Sequence, residues 1–298
     1  MGKTTIAASL ALLGAQHGKR TLVGEVDAKG NLADFFEIGP TSFKEREVAP
    51  NLFAMSMDTE ESLKEYLSLQ LKIPLVARLG PLARTFDFVA NAAPGVKEIL
   101  TIGKFLCEVR ENSYDLVVVD AVATGHIAGQ LAAPQAIQEL VQVGLVRDQT
   151  GWMLDLLGDP AQTGVVIVAA PEEMPVNETL ELADKLAAET VVDLAAVVVN
   201  RVLPELFGRG EEEVFDRLTR DDNEARLSEA LGTPVRPLLD GAQLAVTLRR
   251  TRAAHLTRLR EELPAGTPLL YVPYLFQRSH GARATHQVAE HLGEELGF

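Results

Sequence analysis

Cysteine and basic residues are scarce in this 298-residue sequence. The single cysteine, Cys107, excludes an internal disulfide and a Cys-x-x-Cys metal pair. The 28 Lys and Arg residues are outnumbered by 42 Asp and Glu residues, and the net charge of −14 disfavours nucleic-acid and anionic-membrane partners. No apolar run approaches the roughly 20 residues that span a bilayer, and the first residues lack a signal-peptide layout. We therefore expect a cytoplasmic protein.

Short, mostly apolar runs rich in β-branched residues predict strands at 21–26, 52–57, 116–120, 165–169, 195–200 and 269–272. Amphipathic patterns predict helices at 4–17, 59–71, 96–110, 175–188, 241–262 and 282–296. Strands that are apolar throughout and are separated by helices are typical of a parallel sheet buried on both faces. The predicted fold class is α/β, with a doubly wound, mostly parallel sheet.

Two long stretches carry helical patterns without any strand signal. They cover 59–111 and 127–157, and we expect them to pack together as an inserted α-helical subdomain. The remaining segments, 1–58, 112–126 and 158–298, then form the sheet domain. The strongly charged segment at 204–234 predicts a solvated helix and loop rather than a site.

The first four residues, MGKT, match the end of the phosphate-binding loop G-x-x-x-x-G-K-[ST], and a helix pattern follows at once through Thr5. The N–H groups at a helix N-terminus and the Lys3 ammonium supply positive potential for a phosphate, and the Thr4 hydroxyl can bind Mg²⁺. Alone, the match is weak evidence, because chance gives the sequence Gly-Lys-Ser/Thr-Thr to roughly one in a hundred chains of this size.

Two acidic residues at strand ends support a nucleotide site. The apolar run LVVVD at 116–120 ends in Asp120, the layout of a strand whose carboxylate holds a Mg²⁺-bound water. The simpler alternative is that Asp120 only ends a strand. A second strand leads into Asp27 and a polar loop, where a sensor of the γ-phosphate would lie.

With these motifs in place, the chain resembles the arsenite-pump and tail-anchored-protein-targeting family of P-loop ATPases along most of its length. Residues 27–34, DAKGNLAD, are similar to the family's switch D-P-A-H-x-L-x-D, and residues 120–126, DAVATGH, to its D-x-x-P-T-G-H. Further similar segments are PGVKE at 94–98, PE at 171–172, ET at 178–179, VVVNR at 197–201 and YVP at 271–273.

The resemblance implies ATP and Mg²⁺ as cofactors and a role for each matched residue. Asp27 would orient or activate the attacking water, and Lys3 would neutralise the β- and γ-phosphates. Thr4 and Asp120 would hold Mg²⁺. The remaining nucleotide contacts would come from Gly2, Thr5, Glu172, Asn200 and Pro273.

Plainer roles stay open for three matched residues. Asn200 could cap a strand end, Glu172 could be a surface acid, and His126 is assigned no chemical step.

The chain also departs from the family pattern. The first lysine and two glycines of the family's phosphate loop are absent, as is the strand before them. We expect the natural chain to extend upstream, with Met1 standing where a GTG codon encodes valine. Loss of a central strand would leave two sheet edges exposed. Ala28 and Ala123 replace switch prolines, and Lys29-Gly30 replaces Ala-His. Without the family's metal-binding cysteines, no zinc or metalloid site is supported.

Two functions follow as alternatives. The first is a Mg²⁺-dependent ATPase that closes as a homodimer or a heterodimer with a paralogue. It would thereby gate a hydrophobic client or a membrane-protein partner. The Leu-rich segment at 66–82 could line a groove for such a partner, and the alternative is that it forms the ordinary core of the helical subdomain. The second is a nucleotide-binding scaffold or regulatory subunit that no longer hydrolyses ATP.

Overall fold

Seven strands form two sheets in this computed structural model, which describes residues 1–27, 31–71, 95–122, 124–140, 143–276 and 281–298. The first sheet has the order β2-β3-β1-β4 and the second the order β5-β6-β7. Among the strands of the described residues, only β2 and β3 pair antiparallel. The strands are β1 (Thr21–Glu25), β2 (Arg46–Ala49), β3 (Leu52–Ser56), β4 (Leu116–Asp120), β5 (Gly164–Ala169), β6 (Asp193–Val202) and β7 (Leu269–Pro273).

The described helices alternate with these strands, as expected for an α/β fold. They are α1 (Lys3–Gln16), α2 (Asn31–Phe35), α3 (Thr59–Leu71), α4 (Val96–Arg110), α5 (Thr124–Leu140), α6 (Leu145–Leu157), α7 (Glu173–Glu189), α8 (Arg209–Leu218), α9 (Asp221–Leu231), α10 (Arg236–Glu262) and α11 (Ala282–Leu296). None of the helices in the described ranges is both long enough and apolar enough to cross a bilayer.

Side chains that alternate along the strands build a core on each side of the sheets. Helices α1 and α11 cover one side, where Val23 and Val198 join a cluster with Ile6. Helices α4 to α7 cover the other, where Val197 packs with Leu186. These two layers explain why the strands read as continuous apolar runs.

Gly24 allows α4 to lie close against β1. A Cβ atom at this position would collide with the ring of Phe105 on α4. The glycine in the middle of a buried strand therefore reflects close helix packing rather than a turn.

The expected single sheet is divided between β4 and β5. Among the described residues, β4 pairs with β1 and β5 pairs with β6, and neither pairs on its other side. Cavities of about 250 Å³ and 410 Å³ lie along these two edges, and both are lined by Val119 and Val166. Each of these valines is 39% exposed. Within the described residues, the facing edges of β4 and β5 thus border one gap that is lined by part-exposed apolar side chains.

A strand supplied to this gap is expected to stabilise the protein. Joining five β-branched residues and a short glycine turn ahead of Met1 should bury the edge valines and raise the free energy of unfolding by about 2 kcal/mol. Thermal melting would measure this as a rise of roughly 4–8 °C. A fusion of equal length with two prolines, which cannot complete the ladder, is the control. Equal melting temperatures for both fusions would contradict the prediction.

Most predicted elements are confirmed within two residues of their observed ends. The predicted helical stretch at 127–157 is two helices, α5 and α6, and the charged segment at 204–234 holds α8 and α9. Strand β2 was missed because it is short and polar and lies at a sheet edge, where pairing with β3 rather than burial holds it.

Candidate nucleotide site

The carboxyl end of β4 meets the first turn of α1. Gly2 precedes the helix in a left-handed conformation with φ of 92°, and its carbonyl accepts the first helical hydrogen bond from the Ile6 N–H, at 3.1 Å. The Thr4 hydroxyl donates to Asp120 Oδ2 at 2.7 Å. The two residues predicted to share a Mg²⁺ ion therefore lie in contact, although 116 positions separate them in the sequence.

Asp120 is only 7% exposed. Burial raises the pKa of its carboxyl group, while the hydrogen bond from Thr4 and the charge of Lys3 act in the opposite direction, and the nearby Asp27 raises it further. The net shift is upward from the ordinary value of 3.8. A buried carboxylate that is costly to ionise, with a hydroxyl group beside it, is an arrangement suited to a bound cation.

Replacing Asp120 with asparagine should stabilise the nucleotide-free protein. Because the pKa of Asp120 is raised in the folded state, its ionisation removes stability as the pH rises above 3.8, and the loss is complete above the folded pKa. An asparagine side chain does not ionise, so the Asp120→Asn variant should melt higher than the native protein at pH 7. The difference should shrink toward pH 4 in a series of thermal melts.

The same substitution should weaken Mg²⁺-dependent nucleotide binding by more than about tenfold, since it removes a charged ligand. A lower melting temperature at pH 7 would contradict the assigned environment of Asp120.

Asp27 lies just beyond the end of β1 and lines a groove of about 930 Å³. Met57, Asp58, Lys97 and His126 line the same groove. Asp27 is close enough to Asp120 to influence the pKa of that carboxyl group. The predicted water-activating residue and the predicted metal ligand therefore share one site. The rest of the first switch loop, at 28–30, and Ala123 lie outside the described residues.

Asn200 reaches the phosphate-loop residues from the second sheet. Its amide Nδ2 donates to the Met1 carbonyl at 3.0 Å, and its Oδ1 accepts from the Arg201 N–H at 2.9 Å. The β6 register shifts here, and Arg201 adopts a left-handed backbone with φ of 62°. A side chain at Gly2 would collide with the Asn200 amide. Asn200 lies within β6, two residues before its end, and its amide links the left-handed backbone at Arg201 to the residue that precedes Gly2.

Glu172 and Pro273 lie at the same edge, at the carboxyl ends of β5 and β7. Burial, Arg201 and Lys3 lower the pKa of the Met1 amino group, and Glu172 is among the acids that raise it, which places Glu172 within electrostatic reach of Met1. Pro273 ends β7, in register with Val202.

The structure thus brings the predicted residues into two neighbouring groups. Asp27, Lys3, Thr4 and Asp120 lie where α1, β1 and β4 meet. Gly2, Asn200 and Glu172 lie around Met1. Two further residues border this second group, namely Thr5 in the first turn of α1 and Pro273. The basic residues of α10 that contact this second group were not predicted.

Comparison with known proteins identifies the family of this chain. The family described as "Anion-transporting ATPase" matches residues 1–153 and 146–220. The ATPase BagA of Mycobacterium tuberculosis is 32% identical over 214 residues, which cover 68% of this chain and 62% of that protein. The chain therefore spans less than two thirds of this relative's length.

Two relatives of lower identity carry different names. A putative arsenical pump-driving ATPase of Halobacterium salinarum is 26% identical over 286 residues, or 88% of this chain and 42% of that protein. The ATPase GET3 of Podospora anserina is 26% identical over 240 residues, or 68% of this chain and 70% of that protein. The chain belongs to the anion-transporting ATPase family.

Proposed function

We propose that the protein is a Mg²⁺-dependent ATPase. The observation that carries the proposal is the 2.7 Å hydrogen bond from Thr4 to the buried Asp120 at the N-terminus of α1. The names of the relatives, which are ATPases in each case, agree with this activity. The single cysteine supports a cytoplasmic location.

The residues present fit a magnesium nucleotide. Mg²⁺ is usually held by one or two protein oxygens together with phosphates and water, and Thr4 and Asp120 supply such a pair. The first N–H groups of α1 have no acceptor inside the helix and point toward the site, as a phosphate requires. Gly2 has a left-handed backbone, and the Asn200 amide packs against it. Position 2, beside the proposed phosphate site, therefore has no space for a side chain.

Each side chain then has a distinct task. Lys3 balances phosphate charge, and Thr4 can offer a hydroxyl lone pair to the ion while its O–H group still donates a hydrogen bond to Asp120. Asp27 orients the water that attacks the phosphate and accepts its proton. When bound, Mg²⁺ supplies charge neutralisation on the phosphates. The catalysis consists of positioning and electrostatic stabilisation.

The nucleoside would be held by the second group. Asn200 reads the base through its amide, Glu172 contacts the nucleoside, and Pro273 covers the base. Asn200 is buried and anchored at both ends of its amide, which suits a fixed recognition element. Carboxyl ends of parallel strands are where α/β folds bind nucleotides.

Phosphate release from ATP tests this proposal directly. Purified protein should release phosphate with Mg²⁺ present and stop when EDTA removes it. Nucleotide binding without any phosphate release would favour the alternative function, a regulatory subunit that binds but does not hydrolyse ATP. Failure to bind ATP at all would overturn both.

We further propose that closure of two subunits around nucleotide gates a hydrophobic client or membrane-protein partner through α3 to α6. Within this set, α3 contacts α4, α4 contacts α5, and α5 contacts α6, which supports treating them as one helical subdomain. The side chains of the Leu-rich segment at 66–82 lie outside the described residues. The groove that Asp27 lines is also lined by His126 and Gln130 of α5, which would connect α5 with the proposed reaction.

Sedimentation of the Asp27→Asn protein can test closure. With Mg²⁺ and ATP it should shift from monomer to dimer and retain its client in a pull-down, whereas ADP should reverse both. Identical behaviour with ATP and ADP would argue against nucleotide-gated closure.

A further inference from the structure

Helix α10 reaches segments beside the second sheet through arginine side chains, in addition to the apolar contacts of Leu259. Of its 27 residues, only Val246 and Leu259 are buried. Polar contacts instead run from Arg249, Arg252 and Arg258 to segments near the proposed nucleoside group. Such a helix is held by directed contacts rather than by a broad apolar face.

Two of these arginines lie one turn apart and reach two different strand ends. Arg252 donates from Nη2 to Glu172 Oε1 at 3.2 Å, directly before α7. Arg249 donates to the carbonyl of Leu203, three residues after Asn200. One helix face thus holds both segments that carry the proposed nucleoside contacts.

The Arg252–Glu172 pair contributes little to stability. The Glu172 side chain is 52% exposed, and exposed pairs contribute about 0–1 kcal/mol. Its main physical effect is therefore on geometry. A carboxylate that is tied at one oxygen loses the rotamers that point into solvent, so less entropy is lost when it binds a ligand.

We propose that Arg249 and Arg252 are positioning residues for the nucleoside half of the site. Arg252 orients the Glu172 carboxylate, and Arg249 fixes the segment that follows Asn200. The inference rests on the proposed nucleotide site, and it deepens that proposal by assigning α10 to recognition of the nucleoside rather than of the phosphates.

Calorimetric titration with two probes, ATP and inorganic tripolyphosphate, separates the nucleoside half of the site from its phosphate half. Arg252→Gln should weaken ATP binding by about five- to tenfold, whereas its affinity for inorganic tripolyphosphate, which lacks a nucleoside, should stay within about twofold of the native value. Arg250→Gln is the matched control, because Arg250 lies on the same helix and pairs with the surface residue Glu212 at 3.0 Å. It should leave both affinities unchanged.

A second variant guards against misfolding. Glu172→Gln should show the same selective loss, and the double variant should bind ATP no more weakly than either single one. If Arg252→Gln lost affinity equally for both probes, or lost affinity for neither, the inference would be overturned while the proposed function stayed intact. A native protein that binds neither probe would overturn the proposed function itself.

Discussion

Replacing Asp27 with asparagine is expected to slow phosphate release at least a hundredfold while ATP affinity changes by less than about threefold. A positioned general base typically contributes 10²–10⁴ to the rate, and the amide of asparagine cannot accept the proton of the attacking water. Asp27 lines the groove next to the Thr4–Asp120 pair but is not itself a predicted metal ligand. Steady-state phosphate release and calorimetric ATP titration would measure the two quantities.

Asp58 offers a control in the same groove. Its Oδ1 accepts a hydrogen bond from the Glu61 N–H at 2.9 Å, which caps the start of α3. Asparagine caps helices equally well, so Asp58→Asn should hydrolyse ATP at nearly the native rate. If both variants lost activity alike, general electrostatics of the groove rather than a specific role of Asp27 would explain the result.

Replacing Lys104 with methionine is expected to cost about 3 kcal/mol of unfolding free energy. The Lys104 ammonium contacts Glu45, Glu65 and Glu108 at 3.1, 3.1 and 2.7 Å, and its side chain is only 6% exposed. Burial alone would lower the pKa of Lys104, but hydrogen bonds to Glu108 and Glu65 outweigh it and hold the pKa above its usual value. Methionine would leave three carboxylates close together without their cation. Thermal melting should show a decrease of roughly 6–12 °C.

The pH dependence follows from the direction of this shift. A lysine with a raised pKa contributes its full stability below its usual value of 10.5 and loses it as the pH rises through the folded pKa. The deficit of the variant should therefore persist from pH 7 to pH 9. Lys64→Met is the control, because Lys64 pairs with exposed Glu60 and Glu61 and should cost less than about 0.5 kcal/mol. Comparable losses in both variants would contradict the assigned role of burial.

The strands and most helices could be predicted because their signals are local. An apolar run such as the one that ends in Asp120 predicts a strand without information on the segments that pack around it. The meeting of Thr4 with Asp120 was also predictable, since the phosphate-loop motif and an acidic strand end imply a shared ion. The sequence predicted two exposed sheet edges but did not predict that the sheet divides between β4 and β5, because pairing depends on which strands lie side by side.

Other contacts leave no local signal. Lys104 reads as an ordinary residue of an amphipathic helix, yet one of its partners lies 39 positions away. Arg252 and Glu172 are 80 positions apart, and the sequence does not indicate that Arg252 is the partner of Glu172. Their pairing depends on the packing of α10 beside α7, which periodicity alone does not specify. The individual tasks assigned to Asp27, Glu172, Asn200 and Pro273 remain predictions.

Titration of the purified protein with ATP, with and without Mg²⁺, tests the central claim most directly. Thr4→Val keeps the shape of the side chain but removes the hydroxyl that bonds to Asp120. The native protein should bind ATP at least tenfold more tightly with Mg²⁺ than without it, and Thr4→Val should lose that difference. Equal affinities with and without Mg²⁺ in the native protein, or an unchanged Mg²⁺ effect in Thr4→Val, would contradict a magnesium nucleotide site at the start of α1.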